Sequence, residues 1–398
     1  MIAEGITREL LIAATAVGLV AALLSWRTLG LPFALLVAAI KLFVPFAYFA
    51  WLYDGSWNLL DDLSYVEQGL YLRDSGFDPI TVFFSPEGRL ALFNVSGGPH
   101  IIYPWWNMVA ISLFGEHYYS PVFLNVGLTF IAACFLDRTL SLIGFEKRYR
   151  QAFFVFFLIH WDIIAWSSFL NLKDTLVMTL TILNFWLLYE WVVRRAARGI
   201  PLLGGICLTM AAFLWIRFYI PLLILAALAV WLILENRSRV AHWFLLAGVI
   251  GFAGAEQFLY AEYWPLLDFS NIAVSSFRAI LTPRPWNIEE EYMFLLVPSI
   301  FHWALILPSF IGAVLLWRRS RFERLLIIYL VLVIFLCSFV PEVQGPRQRF
   351  QVAFILARMQ FEFFWNLILA PLRDKSKRRA LTARPIQAPA SVAATDGA

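Results

Sequence analysis

LPFALLVAAIKLFVPFAYFAWLYDGSWNLLDDLSYVEQGLY, residues 31–71, runs from an apolar stretch straight into a polar interval that opens with two adjacent aspartates. The first part is long enough to cross a hydrocarbon core about 30 Å thick, which takes about 20 residues of helix. Similar runs recur along all 398 residues, 61% of which are hydrophobic and only 15% charged, with a mean hydropathy of +0.74. A soluble domain carries roughly 25% charged residues. The chain therefore reads as an all-α polytopic integral membrane protein, since open strands cannot cross a bilayer with unpaired edges.

Spans are expected near 9–26, 32–53, 119–143, 150–168, 174–193, 200–217, 218–235, 241–263, 292–317, 323–341 and 350–371, about eleven transmembrane helices in all. Residues 1–372 then form a single transmembrane domain. Residues 373–398, basic and then rich in small residues and proline, form a cytoplasmic, disordered tail that can rest on anionic lipid. Cytoplasmic loops collect Lys and Arg. EKRYR (146–150), RRAAR (194–198), ENRSR (235–239), RRSRFER (318–324) and RDKSKRR (373–379) all fall on one side of the expected spans. The basic residues are thus topology signals in an inner membrane, and the net charge of +4 gives no reason to invoke nucleic acid. Cys134, Cys207 and Cys337 lie inside apolar runs without CxxC spacing and read as small buried hydrophobes.

This topology sends 54–118, 168–174, the turn at Arg217, 264–291 and 341–349 to the extracytoplasmic face. The interval 54–118 is expected to hold short amphipathic helices along the interface, with Trp105 and Trp106 at headgroup level. Asp61 and Asp62 open it; two carboxylates held close can divide into an ionised base and a partner of raised pKa, or share a metal. Lys173 and Asp174 mark a helix hairpin mouth, where Asp174 can favour a helix start and an ammonium can contact phosphate. Arg217 stands alone between two apolar runs, where an unpaired charge is costly. Arg347 and Arg349 follow a Gly-Pro turn; at a turn both can converge on one anion, although helical i, i+2 spacing would separate them. His160, Asp162 and Glu256 read as internal packing, Arg358 and Glu362 as an i, i+4 pair, and Trp286 as part of a proline-stiffened loop. Outer-face acids with cations at later outer turns describe a site for a lipid-linked phosphate.

Asp61-Asp62-Leu63-Ser64-Tyr65 resembles the Asp-Glu-x-x-Tyr signature in the first extracytoplasmic loop of GT-C membrane glycosyltransferases, the class of protein O-mannosyltransferases and aminoarabinose transferases. GPRQRFQV (345–352) is similar to the Arg-Tyr-Arg-Leu-Pro turn of bacterial members, and NLKDTL (171–176) to the Lys-Asp or Lys-Glu turn of exopolysaccharide-cluster relatives. Asp62 stands where the family has Glu, Gln348 where it has Tyr and Gln351 where it has Pro. One further span precedes the acidic loop. The resemblance implies a GT-C-like fold and an inverting transfer of sugar from a polyprenyl-phosphate donor to a glycan, lipid or protein acceptor in cell-envelope polysaccharide biosynthesis. It implies Asp61 as base or metal-proximal carboxylate supported by Asp62, with Tyr65 orienting the site and Asp174 among the substrate-binding residues. Lys173, Arg217, Arg347 and Arg349 would hold the lipid phosphate; some members use a divalent metal and others do not. Two other readings fit outer-face cations: a polymerase of lipid-pyrophosphate oligosaccharide repeats, which does not need the aspartate pair, and a lipid-linked glycan flippase, for which repeated halves or broken helices near the midplane are expected and neither is clear in the sequence.

Overall fold

A computed structural model describes residues 5–98, 100–194, 199–235, 272–339 and 345–369, with Trp243, Gly248 and Gly251. The expected span at 241–263, with Glu256, and the tail after 369 lie outside the described residues. Among these residues there is no strand, and the chain is all-α. Helices α1 (Arg8–Leu29) and α2 (Leu31–Ala47, continued by a π-turn to Leu52) form a tight hairpin at Gly30, whose φ of 83° suits glycine. The polar interval holds α3 (Leu60–Asp74), α4 (Pro86–Val95) and α5 (Ile102–Phe114). Then follow α6 (Tyr119–Ile143), α7 (Lys147–Ile159), α8 (Trp161–Ser168), α9 (Asp174–Arg194), α10 (Gly199–Leu214) and α11 (Tyr219–Leu234). The remainder comprises α12 (Ile272–Leu281), α13 (Leu296–Ala304), α14 (Ile306–Arg319), α15 (Arg321–Phe339), α16 (Pro346–Phe350) and α17 (Ala353–Phe363).

Four of the described helices are long and apolar enough to cross a membrane: Arg8–Leu29, Leu31–Leu52, Tyr119–Ile143 and Arg321–Phe339. Two bent pairs, α7 with α8 (46°) and Glu290–Ala304 with α14 (58°), raise that to six. One of the other expected spans, 241–263, lies outside the described residues, and the rest of the gap from eleven has local causes. Helices α10 and α11 are 16 residues each, separated by the Arg217 turn. The expected last span begins with a break at Gln351 and is described only as far as Leu369, and the span at 150–168 bends at His160, so it enters the count only as a bent pair. A further departure is α12, helical where the sequence suggested a loop.

Large apolar side chains line the outside of the first hairpin, among them Leu19, Leu23, Phe33, Leu36 and Phe43, as a lipid-facing surface requires. Lys41 is buried midway along α2 and donates to Ser167 Oγ (3.2 Å) and the Ile163 carbonyl (3.3 Å), tying α2 to α8. Cys337 is buried as expected, whereas Cys207 is exposed. At the end of the bundle holding the α6–α7 turn, Asp137 joins Thr28 (3.1 Å) and Arg150 (3.3 Å), and Glu235 joins Arg321 (3.0 Å) and Arg324 (2.8 Å). Arg358 meets Glu362 (3.2 Å), as its spacing suggested, and also Glu323 (2.8 Å) and Tyr149.

Close contact of α3 with α5 sets the position of the two aspartates. A Cβ on Gly69 would lie 2.8 Å from Asn107 Cβ and 2.9 Å from the Met108 backbone nitrogen. Gly69→Ala is therefore expected to lower stability by about 1–3 kcal/mol through overpacking. Thermal unfolding of the detergent-solubilised protein checks this; an unchanged midpoint would show that the two helices part easily.

Candidate active site

Asp61 and Asp62 sit in the first turn of α3, where acidic side chains complement the helix dipole. Successive helical residues point about 100° apart, and the two carboxylates accordingly meet different surroundings. Asp61 shares a face with Tyr65 and keeps 55% of its side chain exposed. Asp62 shares the other face with Val66 and Gly69 and is fully buried. Tyr118 donates to Asp62 Oδ2 (2.5 Å), while Oδ1 has no partner.

Burial pushes the Asp62 carboxyl up to about 6, against the Tyr118 hydrogen bond and backbone donors that favour the anion. Its folded pKa lies above the ordinary value of 3.8, so the folded chain holds a proton that the unfolded chain has released. Stability from this group is thus complete below pH 4 and is lost as pH rises through 6. Asp62→Asn is expected to remove that decline, worth on the order of 2–3 kcal/mol, and to flatten the dependence of the unfolding temperature on pH between 4 and 7. A variant that declines in parallel with the wild type would place the titration elsewhere.

The turn after α8 is held from beneath by a buried amide network. Asn171 donates to the Asp62 carbonyl (3.1 Å) and to Asn107 Oδ1 (2.6 Å), and accepts from Tyr103 (2.7 Å). Asn125 bonds Tyr103 (3.1 Å) and the Leu172 carbonyl (3.4 Å), and receives Trp106 Nε1 (3.1 Å). Trp105 donates to the Pro79 carbonyl (2.7 Å). Both indole N–H groups of the expected headgroup pair therefore bond within the protein. This network fixes Lys173 and Asp174 at the mouth of α9.

Asp174 is the hub of the site and is fully buried. Arg217 Nη2 reaches its Oδ1 at 2.7 Å, and Arg347 Nε reaches its Oδ2 at 2.9 Å. Arg347 Nη1 also contacts Asp61 Oδ2 at 2.6 Å, completing a chain Asp61–Arg347–Asp174–Arg217. Burial opposes ionisation of Asp61, but the Arg347 hydrogen bond and the charges of Arg347, Lys173 and Arg217 outweigh it and hold the carboxyl below its usual range. Lys173 Nζ lies over the Tyr65 ring at 5.6 Å and makes no hydrogen bond or ion pair among the described residues. Burial, then Arg217, lowers its pKa to about 7 despite Asp174. Tyr65 in turn packs edge-on against Tyr103 at 4.7 Å.

Of the eight residues expected at the site, Asp61, Tyr65, Lys173, Asp174, Arg217 and Arg347 come together. Asp62 turns inward, and Arg349 turns away. Because Pro346–Phe350 is helical, i, i+2 spacing separates the two arginines: Arg349 donates to the carbonyls of Ile280 (2.9 Å) and Thr282, bracing α12. Three partners went unread. Gln351, Gln348 and Tyr219 form a hydrogen-bonded group in which Gln351 Nε2 reaches Tyr219 (2.9 Å), Gln348 (2.8 Å) and Asp174 (3.4 Å). Two of the departures from the resembled turn are thus built into the arginine cluster. His100, from the GGPH stretch, approaches the Ile216 carbonyl with Nδ1 at 3.1 Å. Among the described residues no three His, Cys, Asp or Glu side chains form a metal-ligand set.

No family model matches the chain, and neither a curated protein nor a solved structure matches it significantly.

Proposed function

We propose that the chain is an inverting membrane glycosyltransferase of GT-C type that moves a sugar from a polyprenyl-phosphate donor to an acceptor at the extracytoplasmic face. The observation that carries this reading is the convergence of Asp61, Lys173, Asp174, Arg217 and Arg347, from four separate stretches of chain, at one end of the bundle. Two guanidinium groups and the Lys173 amine face two carboxylates there, and protonation of Lys173, which a bound phosphate favours, gives the excess positive charge suited to that phosphate. In this reading the eleven apolar segments, short and bent ones included, all lie within the bilayer, and the basic loops lie on the cytoplasmic side.

Arg347 and Lys173 hold the donor phosphate, while Arg217 holds Asp174 and through it the orientation of Arg347. The acceptor oxygen attacks the anomeric carbon, and the new C–O bond forms as the bond to the phosphate oxygen breaks. The electron pair leaves on the phosphate, whose charge the cations stabilise. The acceptor proton passes to Asp61.

Transfer of label from radiolabelled polyprenyl-phosphate sugars to a membrane glycolipid extract, by the purified protein in vesicles, tests the reading. Sugar nucleotides should give no product. If label passes only from lipid-pyrophosphate oligosaccharides, the polymerase is the better assignment.

A further inference from the structure

We propose that His100 is a positioning residue whose Nε2 accepts a hydrogen bond from the nucleophilic hydroxyl of the sugar acceptor, which places the acceptor subsite beside Arg217 and Lys173. This rests on the transferase reading and adds to it a residue and a substrate chemistry. The resembled motifs do not include His100; the assignment comes from its hydrogen bond and its surroundings.

A carbonyl oxygen can only accept, so the ring nitrogen 3.1 Å from the Ile216 carbonyl is the one that carries the proton. Nδ1–H is thereby fixed as donor and Nε2 keeps its lone pair. Nε2 has no partner among the described residues. The ring stays neutral at physiological pH, because burial, then Lys173 and Arg217, push its pKa down to about 4 against the Ile216 bond and Asp61. Lys173, Arg217 and Asp61 are the charged groups with the largest effect on the ring. Within this cationic surface the ring therefore presents a lone pair with no charge.

Such a group is a poor base and a good hydrogen-bond acceptor. It selects a neutral donor, an alcohol or an unprotonated amine, since Arg217 and Lys173 would repel an ammonium. Asp61 remains the proton's destination; His100 aims the nucleophile. The hydrogen bond to the residue before Arg217 also couples the acceptor subsite to the arginine that holds Asp174.

Two substitutions separate this role from a merely bracing one. An asparagine amide superposes on Nδ1, keeping the Ile216 bond and removing the Nε2 lone pair. A glutamine amide oxygen reaches the Nε2 position and gives up the brace. With full-length protein in vesicles, a polyprenyl-phosphate sugar donor and a membrane glycolipid extract as acceptor, His100→Asn is expected to raise the half-saturating extract concentration about tenfold, the effect of one lost hydrogen bond. Its donor KM should stay within about twofold. His100→Gln should recover most of the acceptor binding. Unfolding midpoints near that of the wild type confirm that both variants are folded, and wild-type-like transfer by His100→Asn with loss in His100→Gln would overturn the proposal. Absence of transfer by the wild type from any polyprenyl-phosphate sugar would overturn the transferase reading and this inference with it.

Discussion

Asp174→Ala is expected to destabilise the protein by about 3–5 kcal/mol, the cost of leaving a buried charge without its partner. Among the described residues, Asp174 is the only carboxylate that contacts both Arg217 and Arg347. Without it, two guanidinium groups stand close together in a largely dehydrated setting, with Asp61 able to serve only one of them. Arg217 is the more affected, because its Nε is already buried without a partner among the described residues. Asp174→Asn keeps one amide oxygen as an acceptor and should lie between the alanine variant and the wild type. Chemical or thermal unfolding in detergent, read beside the yield of folded protein, measures the series. Equal stability across it would show that the two arginines find water or lipid phosphate as readily as they find Asp174, and that the hub is not structural.

The features that sequence made legible are those governed by local chemistry. Long apolar runs predicted helices α1, α2, α6 and α15 because burial in lipid depends on composition over about 20 residues. The acidic start of α3, the Lys173-Asp174 mouth and the solitary Arg217 stood out as charges in apolar surroundings, which demand a partner. Which partner each finds was not legible, because it depends on helix phase and on turns distant in the chain. Asp61 and Asp62 are neighbours in sequence and differ by about 100° of helix rotation. That angle sends one to Arg347 and the other to Tyr118. Arg349 was misplaced for the same reason: a five-residue helix replaced the open turn that would have let it join Arg347. Lys41 and His100 carried no motif, and their roles appear only once α8 and the Ile216 turn lie against them.

In the proposed transferase, Asp61→Asn should change rate and affinity in opposite directions. Removing a general base lowers transfer by about 10²–10⁴-fold, so the variant should be close to inactive with a normal amount of folded protein. Phosphate binding should nevertheless improve. Asp61 occupies Arg347 Nη1 at 2.6 Å, and it is the one anion of the cluster with much of its side chain exposed and therefore able to leave. On the proposed reading, a donor phosphate displaces it. A half-exposed ion pair is worth at most about 1 kcal/mol, so its removal should tighten binding of polyprenyl phosphate by about two- to fivefold. The same exchange explains how a carboxylate held below its usual pKa can accept a proton. While Arg347 is bound to Asp61 the carboxylate is a weak base; once the phosphate takes Arg347, the hydrogen bond and much of the positive charge that favoured ionisation are engaged elsewhere, and Asp61 becomes more basic where the acceptor arrives. Binding of radiolabelled polyprenyl phosphate to wild type and variant in detergent, beside transfer in vesicles, tests both halves. Tighter binding with lost transfer is the expected pair. Unchanged transfer would remove Asp61 from the chemistry and favour the pyrophosphate-linked polymerase, and weaker binding would mean that Asp61 positions Arg347 for the phosphate instead of competing with it.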